Sequence, residues 1–312
     1  MQTIMGANGQ IGRELAIALK RDYTQSIRLV SRHPQKIHDT DEVFPADLLD
    51  SEQTKAAVAG SSIVYLTAGL PMSPTLWASS WPVIMRNVIQ ACITHKASLV
   101  FFDNTYMYPQ TASPLVESTP FRPIGVMGRV RAEIASMLLA AMQQEQINAV
   151  ICRAPEFYGP GKTQSITNSA VIDNLLKGKR ATVLLRDDVK RSLIYTPDAS
   201  RAMALIGNTP DAYGQTWHLP CDDHRLTYSE FIALAADVFG TSPHYRVVTS
   251  FQLRLASWFD KRYRYMRELL PRYQTDNVFV SDKFKARFPD FRVTEWRLGL
   301  ANIMSERQKE RA

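Results

Sequence analysis

Residues 2–22, QTIMGANGQIGRELAIALKRD, decide how this chain folds. A short apolar run, QTIM, meets a turn with glycine at positions 6, 9 and 12. Ile11, Leu15, Ala18 and Leu19 then recur at helical spacing. A glycine loop between a strand and a helix is a phosphate cradle. Gly6 permits the tight turn, Gly9 lets the backbone approach a pyrophosphate, and Gly12 lets the helix pack closely. The first N–H groups of that helix face the phosphate charge.

The same alternation continues outward. SIRLVSR (26–32) reads as a second strand, SEQTKAAVAG (51–60) as a helix and SSIVYLTAG (61–69) as a third strand. A long helix over 75–96 with Pro82 inside it, a buried strand SLVFFDN (98–104), an amphipathic helix over 128–145 and a strand NAVICRAP (148–155) follow. Strands separated by helices pair in parallel through right-handed crossovers, so the expected fold is α/β, a Rossmann-type doubly wound sheet with helices on both faces. The rhythm breaks near residue 160. Residues 1–160 read as the dinucleotide-binding domain and 161–312 as a smaller, interrupted α/β substrate domain, with about 189–206 returning to the first.

Composition sets the outer bounds. The 312 residues include 45% hydrophobic and 21% charged side chains, ordinary for a globular protein with a well-buried core. No apolar run reaches the ~18 residues of a membrane span, and the glycine motif begins too early to leave room for a signal peptide. Cys92, Cys152 and Cys221 are scattered, with no metal spacing, which fits a reducing, cytoplasmic setting. The six histidines are equally dispersed. The formal charge of +7 suits nucleic acid, an acidic surface or a phosphorylated cofactor.

The end of the second strand separates these. A binder of NAD places a carboxylate there for the ribose 2′-hydroxyl, but VSRHPQK (30–36) offers Ser31, Arg32 and Lys36. Arg32 can fork onto a 2′-phosphate and Ser31 can donate to it. NADP(H) is therefore the expected cofactor, with NAD(H) as the alternative.

With the glycine loop, FFDNTYMYP (101–109) and RAPEFYGPG (153–161) in view, the chain resembles the short-chain dehydrogenase/reductase superfamily, in its extended NAD(P)-dependent epimerase/dehydratase branch. The resemblance implies that Asn8, Gln10 and Ile11 join the three glycines around the cofactor. It implies that Asp47 of ADLLD, with Leu48 beside it, reads the adenine amino group. Thr67, Ala68 and Gly69 fall where the family places small residues under the cofactor, and Pro155 lies in the motif after the sixth strand.

The catalytic set departs from the family. Its proton-transferring tyrosine and the lysine four residues on align with Gly125 and Arg129, and its serine or threonine with Asn104. Arg129 can hold ribose hydroxyls, but glycine transfers no proton, a contribution of about 10²–10⁴ in rate. On an extended segment 104, 106 and 108 share a face. Tyr106 is then the leading replacement donor, and Tyr108 fills a position usually structural. Glu156, where the family has asparagine, is a candidate base or cation contact.

Two functions stay open. One is an NADP(H)-dependent oxidoreductase or epimerase acting on a small, sugar-type carbonyl or hydroxyl compound. The other is a non-catalytic redox sensor of the same fold. FQLRLASWFDKRYRYMRELLPRY (251–273) reads either as an amphipathic lid helix or as a basic aromatic face for nucleic acid. The lid is preferred, so neither a nucleic-acid nor a membrane partner is expected, and the protein is expected to be a monomer or homodimer.

Overall fold

The structure, a computed structural model, describes residues 1–161, 163 and 165–309, and only the backbone of Arg262. The chain runs β1 (Gln2–Met5), α1 (Gln10–Asp22), β2 (Ile27–Ser31), β3 (Glu42–Pro45), α2 (Ser51–Val58), β4 (Ile63–Leu66), α3 (Pro74–His95), β5 (Ser98–Asp103), α4 (Gly125–Gln143) and β6 (Ala149–Arg153). Then come β7 (Glu156–Tyr158), a π turn leading into α5 (Asp173–Leu175), β8 (Ala181–Leu184), β9 (Leu193–Tyr195), α6 (Thr196–Gly207), β10 (Thr216–His218), α7 (Tyr228–Phe239) and β11 (Tyr245–Val248). The chain continues as α8 (Ser250–Phe259), α9 (Lys261–Met266), a 3₁₀ segment (Arg267–Tyr273), α10 (Asp282–Arg287) and α11 (Trp296–Lys309).

Seven parallel strands form one sheet in the order β10-β6-β5-β4-β1-β2-β3. This is the expected doubly wound α/β fold. Alternate strand residues feed opposite cores: Ile4 joins α1 and α6 on one face, while Met5 joins α2, α3 and α4 on the other. From β1 the chain winds one way to β2 and β3, and from β4 the other way. The crevice beyond the carboxyl ends of β1 and β4 is therefore the topological switch point, where such sheets bind ligands.

Two parallel pairs, β7 with β9 and β8 with β11, lie beyond the main sheet. A third core of Tyr158, Ile172, Phe231, Trp296 and Leu300 joins β7–β9 to α7 and α11. α7 carries the capping box of Thr227 and Glu230 and ends at left-handed Gly240.

The structure adds β3 to the sequence reading. Its Glu42, Val43 and Pro45 are exposed, and a proline-containing edge strand carries little apolar signal. The expected single helix over 251–272 is broken at Asp260, whose extended backbone (φ −134°, ψ 120°) ends α8. The apolar stripe read there as a lid faces outward, with Phe251 and Trp258 each 73% and Phe259 85% exposed. Leu253 and Ser257 are the buried side of α8, and it is the later 3₁₀ segment that covers the cleft. Among the described residues no helix is long and apolar enough to cross a membrane.

Candidate active site

At the end of β1, Gly6 takes φ +97°, and a Cβ there would stand 2.5 Å from the Cα and N of Ala68. The loop after β1 thus lies directly on the loop after β4. A Cβ at Gly12 would reach 2.7 Å from the Gly6 carbonyl oxygen, so α1 begins hard against the turn. Gly9 caps α1 with no side-chain hydrogen bond, and the first turn carries no acid. Its leading amides lack intrahelical partners and keep their affinity for an anion. Asn8 Nδ2 donates to the His33 carbonyl (2.7 Å), tying this loop to the segment after β2. There Ser31 Oγ is buried with no partner, Arg32 is exposed, and Lys36 Nζ donates to the Asp39 carbonyl (2.8 Å). Asp47 Oδ1 accepts from the Leu49 amide, and the Leu48 carbonyl accepts from Asn87 Nδ2.

The end of β5 is not extended as the spacing argument assumed. Asn104 Oδ1 accepts from the Tyr106 amide (2.9 Å), and the Tyr108 amide donates to the Thr105 carbonyl (3.2 Å). This side-chain turn sends the two tyrosines to opposite sides. Tyr106 stacks on Trp77 (5.9 Å between centroids, 13° between planes). Tyr108 is fully buried: its hydroxyl receives from Arg153 Nη1 and meets His218 Nε2, each at 2.8 Å, while His218 Nδ1 lies 2.8 Å from the Val280 carbonyl. Burial pushes His218 down to about 3, so it stays neutral, and pushes Tyr108 up to about 12. Tyr108 is committed to packing.

A cleft of about 370 Å³ opens over these strand ends. Asn8, Gly9, Gln10 and Ile11 line one side, and Thr67, Ala68, Gly69 and Pro155 its floor. Asn104, Tyr106, Glu156 and Trp77 face them, with Arg131 and Arg272. Ser31, Arg32, Lys36, Asp47 and Leu48 lie outside it, along the ends of β2 and β3. Among the described residues no group of His, Cys, Asp or Glu could hold a metal ion.

Two expected site residues change position or role. Arg129 is solvent-exposed on α4 and does not line the cleft; the arginine that enters is Arg131. Glu156 is a fully engaged wall residue. Its Oε1 accepts from Thr167, Tyr228 and Tyr273 (2.9, 2.9 and 3.2 Å), and its Oε2 from Arg191 (2.9 Å). Burial alone would raise its pKa, but Arg191 and these donors hold it below the ordinary glutamate value. It stays ionised, and a carboxylate so saturated is a weak base.

A model of the NAD dependent epimerase/dehydratase family matches residues 3–219, more than half of the chain. The chain belongs to this family. Solved structures agree on the fold. The UDP-glucose 4-epimerase of Thermus thermophilus, in complex with NAD, is 16% identical with a TM-score of 0.79, over 99% of both chains. The UDP-glucuronic acid 4-epimerase of Bacillus cereus, with UDP-glucuronic acid and NAD, is 15% identical with a TM-score of 0.82, over 99% of this chain and 100% of that one. A dTDP-glucose 4,6-dehydratase double mutant from Streptomyces venezuelae is 16% identical with a TM-score of 0.80, over 100% and 98%. No curated protein sequence matches the chain.

Gly125, at the start of α4, lies against the distant 3₁₀ segment. Gly125 has φ +73°, and a Cβ there would overlap the carboxyl group of Glu268. Glu268 Oε2 accepts from the Met127 amide (3.0 Å), so a residue of the 3₁₀ segment caps the start of α4, where Ile124 offers no cap. Gln110 fastens the same segment, donating to the Glu268 carbonyl (2.9 Å) and accepting from the Arg272 amide (3.1 Å). The sequence reading missed Arg131, Arg272 and Glu268. Arg131 had a signal: it falls four residues after Met127 and three before Ile134, on the buried stripe, whereas Arg129 falls off it. Arg272 and Glu268 had none, because only the path of the distant 3₁₀ segment brings them here.

Proposed function

We propose that this protein is an NADP(H)-preferring oxidoreductase or epimerase that acts on a small, sugar-type hydroxyl or carbonyl compound. The observation that carries the reading is one cleft with bare helix amides on one side and an uncommitted phenol on the other. Among the described residues no partner holds the Tyr106 hydroxyl. The cofactor fits the residues present: Gly6 and Gly12 leave room for the loop, and α1 presents unpaired amides to a pyrophosphate. Ser31 and Arg32 would hold the 2′-phosphate, Asp47 the adenine, and Thr67, Ala68, Gly69 and Pro155 the nicotinamide half. When bound, the nicotinamide supplies hydride transfer to or from a carbon that bears oxygen.

The chain's own part is the proton. Burial raises the Tyr106 pKa, only partly opposed by Arg272 and Arg131, so the phenol is protonated in the working range. It can donate to a substrate oxygen and recover the proton in the reverse direction. The Arg272 guanidinium, 4.8 Å from the ring centroid, stabilises the phenolate formed. Asn104 keeps its amide nitrogen free to orient the substrate oxygen, and Arg131 takes the ribose-holding role expected of Arg129. Residues 161–312 serve as the substrate side, with Tyr273 and Leu269 closing the cleft. The sensor alternative rests on Gly125, but a sensor has no use for a free hydroxyl on a ring covered by a buried cation.

Fluorescence titration tests the cofactor assignment. NADPH should bind at least tenfold more tightly than NADH, with the difference reduced in Arg32→Ala. Equal affinities would sink the NADP(H) preference. Tight cofactor binding with no turnover across a panel of carbonyl and hydroxyl sugars would favour the sensor.

A further inference from the structure

The three most exposed large hydrophobic side chains among the described residues stand together on one short helix. Phe251, Trp258 and Phe259 of α8 lie largely in solvent, and Leu255 between them is 48% exposed. Exposed residues such as Leu49, Val116 and Leu298 stand apart from one another in the chain. At i, i+4, i+7 and i+8 the four side chains of α8 share one helix face. Leu253 and Ser257 are buried on the opposite side and hold the helix to the protein. The capping box of Thr249 and Gln252 fixes its start, so a formed helix presents the face. Exposed cations accompany the stripe: Arg254 at its flank, then Lys261, Arg264 and Arg267 just beyond it. Across residues 250–267 Asp260 is the only acid, against Arg or Lys at 254, 261, 262, 264 and 267.

A contiguous apolar face in water marks a surface to be covered, and the cations restrict what can cover it. A second copy docked symmetrically would set these cations against their own counterparts. A soluble polyanion would meet the charge but leave Leu255 and the two phenyl rings hydrated. An anionic bilayer takes both. We infer that α8 lies on the surface of an anionic lipid membrane, with Phe251, Leu255, Trp258 and Phe259 among the acyl chains and Arg254, Lys261, Arg264 and Arg267 at the headgroups. Trp258 and Tyr263, each an apolar ring with a polar tip, suit that boundary. A helix in the interfacial plane needs no spanning length. The inference therefore sets aside the expectation of no membrane partner, which rested on the want of a spanning run. α9 joins α8 to the 3₁₀ segment, whose Leu269 and Tyr273 line the cleft. The contact thus falls on the stretch leading into the cleft, but it does not depend on what the cleft binds.

Co-sedimentation of the full chain with phosphatidylcholine vesicles, with and without phosphatidylserine, tests this. The protein should sediment with the anionic vesicles and bind the neutral ones at least about tenfold more weakly, each cation near the surface contributing about fivefold. The combined variant Phe251→Ser, Trp258→Ser, Phe259→Ser should lose vesicle binding. Arg254→Gln, Lys261→Gln, Arg264→Gln should weaken only the anionic preference. The altered side chains are exposed, so both variants should melt with the wild type. Brominated acyl chains give a second readout: they should quench tryptophan emission, and quench it less in Trp258→Phe, which keeps the apolar face. No sedimentation with anionic vesicles, binding that survives loss of the three aromatic rings, or quenching unchanged in Trp258→Phe would overturn the inference. So would self-association in gel filtration that the aromatic variant abolishes, since a second copy would then cover the face.

Discussion

Gly125→Ala, Glu268→Ala and their combination form a cycle that tests whether Glu268 packs over Gly125. Gly125 sits at φ +73°, where an L side chain costs about 1–2 kcal/mol. The new Cβ also overlaps the Glu268 carboxyl, which must swing away and abandon the Met127 amide. Losing such a helix-start bond costs roughly 0.5–2 kcal/mol, typically ~1. Gly125→Ala should therefore destabilise by about 2–3 kcal/mol, and Glu268→Ala by ~1, the loss of the same bond. In the double variant the bond is counted once, so it should match Gly125→Ala alone. The singles should then overshoot by ~1 kcal/mol, an interaction of the size seen between touching residues. Urea unfolding measures all four proteins. Strict additivity, or a Gly125→Ala loss under 0.5 kcal/mol, would mean that Glu268 does not occupy this space.

Glu156→Gln leaves Arg191 buried without its anion and should cost about 3–5 kcal/mol at neutral pH. Because the folded pKa of Glu156 lies below 4.5, its stabilisation is complete above the ordinary glutamate value and disappears only as the pH falls through the depressed one. Urea unfolding should show a constant gap from pH 7 to 5 that narrows further down; a gap under 1 kcal/mol at pH 7 would refute the pairing. Tyr106→Phe should lower kcat by about 10² or more with NADPH affinity unchanged. In wild type, carbonyl reduction should show no alkaline loss from this group below pH 10, since burial moves the phenol above its ordinary value. Full activity in Tyr106→Phe would reduce that ring to cleft wall.

What could be read in the sequence was whatever neighbours along the chain decide. Gly6, Gly9 and Gly12 announce their turn because the strand before and the helix after are contiguous with it, and each strand–helix unit repeats the same signal. The pattern failed where one local rule had to choose a direction that only tertiary contacts supply. Asn104 is a turn former, yet alternation was carried through it, and that placed Tyr106 and Tyr108 on one face when the Asn104 bond to the Tyr106 amide separates them. On α8 the helical period was right and its inward side was not, because Leu253 packs into the third core while Phe251 and Trp258 stay exposed.

In the sequence Gly125 is only the first residue of an amphipathic helix, and nothing near it in the chain says what packs there. Glu268 fills the space beside Gly125, caps α4, and belongs to the segment that also carries Arg272 onto Tyr106. Docking that segment needs a glycine at 125, and placing Arg272 needs the docked segment. Glycine at 125 and a cation beside Tyr106 are thus the two ends of one contact, so a tyrosine placed at 125 should displace the segment and loosen Arg272 from the Tyr106 ring.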